Sequence, residues 1–242
     1  MVLVVKDGEA WLRPALGALA RQDHRRIGVV AVDNASGDHS ADILATTLGE
    51  ARVLRLPRNV GFPAAVEAAL EHAGSAADAD YVLLLHDDTV MAPDAISRMV
   101  ELAERIDGVG VVGPKLVDWD DPTLLREVGL SADRFGYPYS PLEEEELDQG
   151  QYDRAREVLF VTSAAMLVSR DAWRRAGLPD ERYGSHHEDL DFCWRARLAG
   201  FRVLMSPRAR ARHRGATVRG ERKGAGRRDR RRLYAERASL AA

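Results

Sequence analysis

The sequence predicts an α/β domain in which helices flank a mostly parallel central sheet. Short apolar runs alternate with segments of helical periodicity through the first half of the chain, and this order favours parallel strands joined by right-handed crossovers. The run Val82–Leu85 is wholly apolar, which is typical of a strand buried on both faces. The chain has 242 residues, 45% of them hydrophobic, so it is long enough for one domain with a substantial core.

Strands and helices alternate in the first half. The apolar runs predict strands at Val2–Val5, Ile27–Val32, Val53–Leu56, Tyr81–Leu85 and Val109–Val112. Helical spacing predicts helices over Trp11–Ala20, Ser40–Gly49, Pro63–Ala73 and Pro93–Arg105. In such sheets ligands bind beyond the carboxyl ends of the strands, so the residues that follow each strand are the candidates for function.

The second half is less regular. Residues 118–157 are rich in Asp, Glu, Pro and Tyr, and we interpret them as a long surface excursion. Strands are predicted at Val158–Val161, Ala164–Val168 and Phe201–Met205, with helices over Asp171–Ala176 and Glu188–Ala199. The later helix is expected to carry an apolar face formed by Leu190, Cys193, Trp194 and Leu198.

Charge divides the chain into an acidic body and a basic end. From Arg208 onward there are 13 Arg or Lys against 3 Asp or Glu, so the rest of the chain carries a net charge of −13. We predict a domain over residues 1–216 and a basic tail, residues 217–242, that contacts an anionic membrane surface. A solvated chain end is the alternative. Because the body shows neither a basic face nor an aromatic platform, no nucleic-acid partner is expected.

Cysteine usage and hydropathy indicate the compartment. The single cysteine, Cys193, excludes an internal disulfide and fits a reducing environment. The apolar runs are too short to span a bilayer, and the N-terminus shows no secretory signal. We therefore expect a cytoplasmic protein whose tail associates with the inner face of the plasma membrane.

Three acidic clusters are the candidates for chemistry. Asp33-Asn34 follows the second strand, and its carboxylate either stabilises a turn or accepts a hydrogen bond from a nucleobase. His86-Asp87-Asp88 follows the apolar fourth strand, where adjacent carboxylates either cap the next helix or bind a hard divalent cation such as Mg²⁺ or Mn²⁺. Glu188-Asp189 opens a late helix and either complements its dipole or supplies a general base. A lone histidine, His213, lies beyond the last strand.

The order and spacing of these motifs resemble the family 2 glycosyltransferases of the GT-A fold, a Rossmann-like fold of nucleotide-diphospho-sugar transferases. The resemblance covers about residues 1–215. It rests on six motifs, which are Val32–Asp38, Asn59–Phe62, Leu83–Thr89, Ala165–Val168 followed by Arg170, His187–Phe192 and Ala199–Val203. The pattern is most similar to that of bacterial rhamnosyl- and galactofuranosyltransferases, which build cell-surface polysaccharide.

The resemblance implies a role for each candidate residue. Asp33 would contact the nucleobase with Asn34 nearby, and Asn59 and Gly61 would line the nucleotide pocket. His86-Asp87-Asp88 falls on the family's Asp-x-Asp motif, in which the last position binds the metal. Asp87 would thus lie at the nucleotide sugar, Asp88 and His213 would bind a divalent metal, Mg²⁺ or Mn²⁺, and His86 departs from the first acidic position. Asp189 falls on the catalytic base, with Glu188 beside it.

These roles imply an inverting transfer from a nucleotide-diphosphate donor to the hydroxyl of a carbohydrate or lipid-linked acceptor. A cation held by Asp88 and His213 would neutralise the leaving group, while Asp189 takes the acceptor proton. One base and one stabilised leaving group suffice for a single displacement. A retaining hydrolase would instead require a close carboxylate pair.

Two other readings remain open from the sequence. A nucleotidyltransferase would carry a basic, glycine-rich loop after the first strand, where this chain has Lys6-Asp7-Gly8-Glu9. A non-catalytic nucleotide-sugar-binding or scaffold domain of the same fold is compatible with the His86 departure. The presence of both Asp88 and Asp189 favours the enzyme.

Overall fold

The computed structural model describes residues 1–74, 79–135, 137–177 and 187–222. The strands are β1 (Val2–Val5), β2 (Val30–Asp33), β3 (Val53–Arg55), β4 (Tyr81–His86), β5 (Thr89–Met91), β6 (Val109–Asp118), β7 (Leu125–Glu127), β8 (Ser131–Ala132), β9 (Pro138–Tyr139), β10 (Arg156–Glu157), β11 (Ala165–Ser169) and β12 (Arg202–His213). The helices are α1 (Glu9–Ala20), α2 (Ser40–Leu48), α3 (Phe62–Ala73), α4 (Ala95–Arg105), α5 (Arg170–Ala176), α6 (Glu188–Leu198) and α7 (Ala216–Arg219).

The central sheet has the strand order β10-β12-β6-β11-β4-β1-β2-β3, with β5 paired to β12 and β7 paired to β6. The half built from β4, β1, β2 and β3 is parallel, as the βα alternation predicts. The other half is mixed, because β11 runs antiparallel to both β4 and β6. The α/β class is therefore confirmed, but the sheet is mixed rather than dominated by parallel pairs.

The change of direction has a physical reason. A parallel neighbour needs a long crossover, usually a helix, whereas an antiparallel strand can return directly. No helix lies in the described part of residues 118–164, which connects β6 to β11. The chain therefore comes back beside β6 in the opposite direction.

The core lies on both faces of the sheet. Alternate residues of β1 point to opposite faces, and all four are buried. Helices α1, α2 and α4 cover one face through residues such as Leu12, Leu44 and Met99. Helices α3, α5 and α6 cover the other face through residues such as Val66, Ala172 and Phe192. The result is a sheet held between two helical layers.

Several strand predictions differ from the structure, and β6, predicted as Val109–Val112, continues to Asp118. The last strand, predicted as Phe201–Met205, continues to His213 because the segment Arg208–Arg212 alternates Arg and Ala and buries Ala209 and Ala211. The segment Val158–Val161 forms no strand and contributes only an isolated bridge between Leu130 and Phe160. Its apolar side chains fill space against neighbouring backbone, since a Cβ on Gly113 would lie 2.6 Å from Val161.

The apolar face predicted for the late helix is also wrong in part. Cys193 is buried, together with Phe192 and Ala196. Trp194 is 52% exposed and Leu198 is 75% exposed. The helix therefore packs through Phe192, Cys193 and Ala196, and its larger apolar side chains Trp194 and Leu198 lie outside the buried face.

Residues 118–157 contact the sheet more closely than the predicted surface excursion would. Lys115 of β6 is fully buried, and its Nζ donates to Asp148 Oδ1 at 3.0 Å and to Asp153. Leu125 and Val128 of this segment are buried in a small core cluster of their own. This arrangement brings one acidic residue of the segment, Glu127, into the protein interior.

Candidate active site

Polar residues gather at the carboxyl edge of the parallel strands. In the register of the sheet, Val5 lies beside Asp33 of β2 and Val4 lies beside His86 of β4. The first two predicted clusters therefore flank the end of β1. The third cluster is joined to them through the loop before β11, because Ser163 Oγ lies 3.1 Å from His86 Nε2 and 2.8 Å from Glu188 Oε1.

Asp33 and Asn34 begin a hydrogen-bonded pocket. Asp33 is buried, and its Oδ2 accepts from Ser36 N at 3.3 Å, while its Oδ1 has no hydrogen-bond partner among the described residues. The Asn34 amide donates to Asn59 Oδ1 at 3.0 Å and to Gly61 O at 3.3 Å. Three residues predicted from separate motifs, Asn34, Asn59 and Gly61, thus form one network. The buried Asp33 Oδ1, which has no partner among the described residues, is suited to accept a hydrogen bond from a bound ligand.

Asp88 and His213 are brought together by strand pairing. β5 pairs with the end of β12, so that His213 lies beside Thr89 and Arg214 N donates to Asp88 O at 3.0 Å. Asp88 Oδ2 accepts from Ala216 N at 2.8 Å. Asp88 Oδ1 lies 3.5 Å from both His213 Nε2 and Arg222 Nη2, and the described residues donate no hydrogen bond to it. Burial opposes ionisation of Asp88, but His213, His86 and Arg222 together outweigh burial and hold the pKa of this carboxyl below its ordinary value.

His86 joins the same cluster. One potential ligand atom each from His86, Asp88 and His213 lies within 4.8 Å of the others. Burial lowers the pKa of His86 to about 3, so the imidazole is neutral. Ser163 Oγ donates to Glu188 Oε1 at 2.8 Å and therefore accepts from His86 Nε2 at 3.1 Å, which leaves Nδ1 with a free lone pair. A carboxylate oxygen without a hydrogen bond between two imidazoles fits a divalent cation.

Asp87 faces a different partner. Its Oδ2 accepts from Lys6 N at 3.0 Å and from Arg222 Nη1 at 3.0 Å, and Arg222 also contacts Oδ1. Gly8 makes room for this carboxylate, because a Cβ there would lie 2.2 Å from Asp87 Oδ2. Position 8 of Lys6-Asp7-Gly8-Glu9 therefore requires glycine, because the Asp87 carboxylate approaches its backbone closely. Arg222 lies in the predicted basic tail, whose first residues, 217–222, pack against the site.

Glu188 and Asp189 open α6 immediately after His187, whose backbone is left-handed with φ of 67°. Glu188 is buried, and burial raises its pKa to about 8. Its Oε2 has no hydrogen-bond partner among the described residues. Burial raises the pKa of Asp189 to about 6, against hydrogen bonds donated by Leu190 N, Ser163 N and the Thr162 hydroxyl. A carboxyl with this pKa is ionised at neutral pH yet can accept a proton.

Sequence reasoning missed Glu127 and Ser163. Glu127 is only 8% exposed, and burial raises its pKa to about 8. The only available signal was that the pair Arg126-Glu127 lies between the apolar residues Leu125 and Val128, in a segment interpreted as surface. Most of the predicted basic tail, residues 223–242, lies outside the described residues.

None of the described helices is long and apolar enough to cross a membrane.

The chain belongs to the glycosyltransferase like family 2, because the model of this family matches residues 2–235. The predicted family is thereby confirmed. This match also covers Arg222 and extends into the predicted basic tail.

Two relatives carry the names of sugar transferases. The chain is 26% identical over 214 residues to an N-acetylglucosaminyl-diphospho-decaprenol L-rhamnosyltransferase of Mycobacterium tuberculosis, covering 82% of this chain and 70% of the relative. It is 27% identical over 206 residues to the amylovoran biosynthesis glycosyltransferase AmsB of Erwinia amylovora, covering 78% of this chain and 60% of AmsB.

Solved structures share the fold. GalNAc-T7 with UDP, GalNAc and Mn²⁺ superposes with a TM-score of 0.70 at 16% identity, over 88% of this chain and 43% of that chain. S. aureus TarS in complex with UDP superposes with a TM-score of 0.63 at 18% identity, over 88% of this chain and 59% of that one. These likenesses confirm the predicted GT-A fold.

Proposed function

We propose that this chain is an inverting, metal-dependent glycosyltransferase that moves a sugar from a nucleoside-diphosphate donor to a hydroxyl acceptor. The observation that carries the proposal is the buried Asp88 Oδ1, which accepts no hydrogen bond from the described residues and belongs to a cluster of potential ligand atoms with His86 and His213. Leaving a buried carboxylate oxygen in this state is costly unless a cation completes its surroundings.

The metal ligands of the proposal are Asp88 and His213, with His86 as a third. A Mg²⁺ or Mn²⁺ ion bound there supplies positive charge that stabilises the departing nucleoside diphosphate. Ser163 orients the His86 ring through Nε2, and Ala216 N fixes the second Asp88 oxygen. These contacts hold the ligand atoms in place before the donor binds.

The nucleotide pocket of the proposal lies at the neighbouring strand end. Asp33 Oδ1 accepts an N–H from the nucleobase, since this buried oxygen has no partner among the described residues. Asn34 and Asn59 brace each other and shape the pocket wall near Gly61. Asp87, held by Arg222, lies between this pocket and the metal ligands and contacts the nucleotide sugar.

Asp189 is the proposed general base. It accepts the proton of the acceptor hydroxyl as that oxygen attacks the anomeric carbon, and the bond from that carbon to the diphosphate breaks. Attack and departure on opposite sides invert the anomeric centre in one displacement. Glu188 stays protonated at neutral pH because of its raised pKa, so it does not compete for the proton.

The acceptor class follows from the relatives. The mycobacterial relative is named for a decaprenol-linked acceptor, and AmsB for a polysaccharide. We infer a carbohydrate or lipid-linked acceptor in cell-surface polysaccharide or glycoconjugate synthesis. The basic tail would bring a cytoplasmic enzyme to the inner face of an anionic membrane, which co-sedimentation of full-length and tail-deleted protein with anionic vesicles tests. Equal sedimentation of the two proteins would contradict this role.

Two substitutions separate the metal site from the base. Asp88→Ala removes a ligand and should weaken both donor binding and turnover. Asp189→Asn keeps the shape but cannot take the proton, so donor affinity should persist while turnover falls about 10²–10⁴-fold. The measurements are donor affinity by calorimetry and release of nucleoside diphosphate with acceptor present. Wild-type turnover in Asp189→Asn would refute the base assignment, and Asp42→Asn, on an exposed face of α2, is the matched control.

A further inference from the structure

Glu127 is a buried carboxyl that the proposed mechanism does not use. It is the last residue of β7 and lies beside Leu116 of β6 in the sheet register. Its Oε1 accepts from Thr162 N at 3.1 Å. Among the described residues no cation forms an ion pair with it, which is unusual for a glutamate that is 8% exposed.

Three carboxyl groups converge on the Thr162-Ser163 turn. Glu127 accepts from Thr162 N, and Glu188 accepts from Ser163 Oγ. Hydrogen bonding by Ser163 N and the Thr162 hydroxyl opposes the burial that raises the pKa of Asp189. The polar groups of this dipeptide therefore act on three carboxyl groups. The orientation of the turn determines which donors reach Asp189.

We propose that Glu127 is a positioning residue for Asp189, because its hydrogen bond from Thr162 N fixes the turn whose other groups donate to that carboxylate. The inference rests on the proposed function, in which Asp189 is the base. It adds a residue from the segment between β6 and β11 to the architecture of the site. The contact links the position of the base to a segment that is distant from it in sequence.

The charge state of Glu127 agrees with this role. Burial and the nearby Asp189 carboxylate raise the pKa of Glu127 to about 8, so it is uncharged at neutral pH. The other titratable group near it on α6 is Cys193, a buried thiol whose pKa is raised by burial and by both carboxyls. The negative charge of the cluster therefore stays on Asp189, where the base needs it.

Two substitutions at position 127 separate the hydrogen bond from the charge. Gln keeps an acceptor oxygen for Thr162 N and resembles the protonated carboxyl, so Glu127→Gln should turn over at pH 7 within about twofold of wild type. Glu127→Ala removes the acceptor and frees the turn, so kcat should fall roughly 10- to 100-fold while donor affinity is unchanged. Glu144→Gln, an exposed glutamate of the same segment, is the matched control.

A second measurement does not depend on turnover. In ¹³C NMR titrations of the Asp carboxyl groups, Asp189→Asn identifies the Asp189 signal. Its pKa should stay near the wild-type value in Glu127→Gln and rise in Glu127→Ala, because hydrogen bonds that favour the charged form are lost.

Four results would overturn the inference. They are an unchanged Asp189 pKa in Glu127→Ala, full activity of that variant, an equal loss of activity in Glu127→Gln, and a loss of donor affinity in parallel with turnover. Absence of transfer by wild type would refute the proposed function instead, and the titration would still decide whether Glu127 positions Asp189.

Discussion

At the residue scale, the candidate site is marked by buried polar atoms that have no hydrogen-bond partner among the described residues. Asp33 Oδ1, Asp88 Oδ1 and Glu188 Oε2 are buried and accept no hydrogen bond within the described residues. Proteins rarely leave such atoms unsatisfied without a functional reason. Each of them falls in one of the three acidic clusters that the sequence singles out, which favours a ligand-binding role over a role in turns or caps alone.

Turnover should depend on pH through the protonation of Asp189. Burial raises the pKa of this carboxyl to about 6, and only its ionised form accepts a proton. Turnover is therefore expected to be retained above pH 6 and to fall about tenfold for each pH unit below it. The measurement is kcat from pH 4.5 to 7.5, with donor affinity followed in parallel. A flat profile over this range, with the protein folded throughout, would be incompatible with Asp189 as the base.

At the element scale, regular βα alternation was predictable and the returning strands were not. The apolar runs of β1 and β4 are buried on both faces, so composition alone locates them. The direction of β11 depends on a connection without a helix, which the composition of residues 118–157 did not reveal. The extension of β12 was visible in principle, because Arg208–Arg212 alternates with a period of two. Because this segment is highly charged, it was interpreted instead as the start of the basic end of the chain.

The same limit applies to the candidate site. Asp33, Asp88 and Asp189 stand out because each follows or opens a regular element. Glu127 and Ser163 do not, since their positions depend on the pairing of β7 with β6 and on the approach of β11 to β4. From the sequence, His86 was not favoured as a metal ligand. Its proximity to His213 depends on the pairing of β12 with β5, which the sequence did not reveal.

The segment 214–222 forms an ion-paired cover over the Asp87-Asp88 pair. Arg214 contacts Asp120 and Glu221, Arg219 contacts Asp118 at 2.6 Å, and Arg222 contacts Asp87. The Arg222 side chain is 11% exposed and also lies over the Trp11 ring. The start of the predicted tail thus packs as part of the site.

Loss of the Arg222 charge should therefore destabilise the fold. Arg222→Gln leaves the buried Asp87 carboxylate without its cation, which typically costs about 3 kcal/mol. Urea unfolding should show a lower midpoint for this variant. Arg208→Gln, whose side chain is 57% exposed, is the control and should unfold like wild type. Equal midpoints for Arg222→Gln and wild type would show that the cover contributes nothing to stability.

At the scale of the whole molecule, a mixed sheet collects distant parts of the chain at one edge. The parallel half brings Asp33 and His86 to the two sides of β1, as open α/β sheets do. The antiparallel half adds the Thr162-Ser163 turn, and β12 adds His213. Membership of family 2 and the GT-A fold agree with this architecture, in which the residues proposed to bind the nucleotide, the metal and the acceptor proton share one edge.

The central claim is that Asp88 and its histidines bind a divalent cation together with a nucleoside diphosphate. Calorimetric titration of wild type with a panel of nucleoside diphosphates, in the presence of Mn²⁺ and again in EDTA, tests it most directly. We expect at least one nucleotide to bind with Mn²⁺ and to lose on the order of tenfold or more in affinity without it. Affinity that is the same in EDTA, or no nucleotide binding with either Mn²⁺ or Mg²⁺, would contradict the account.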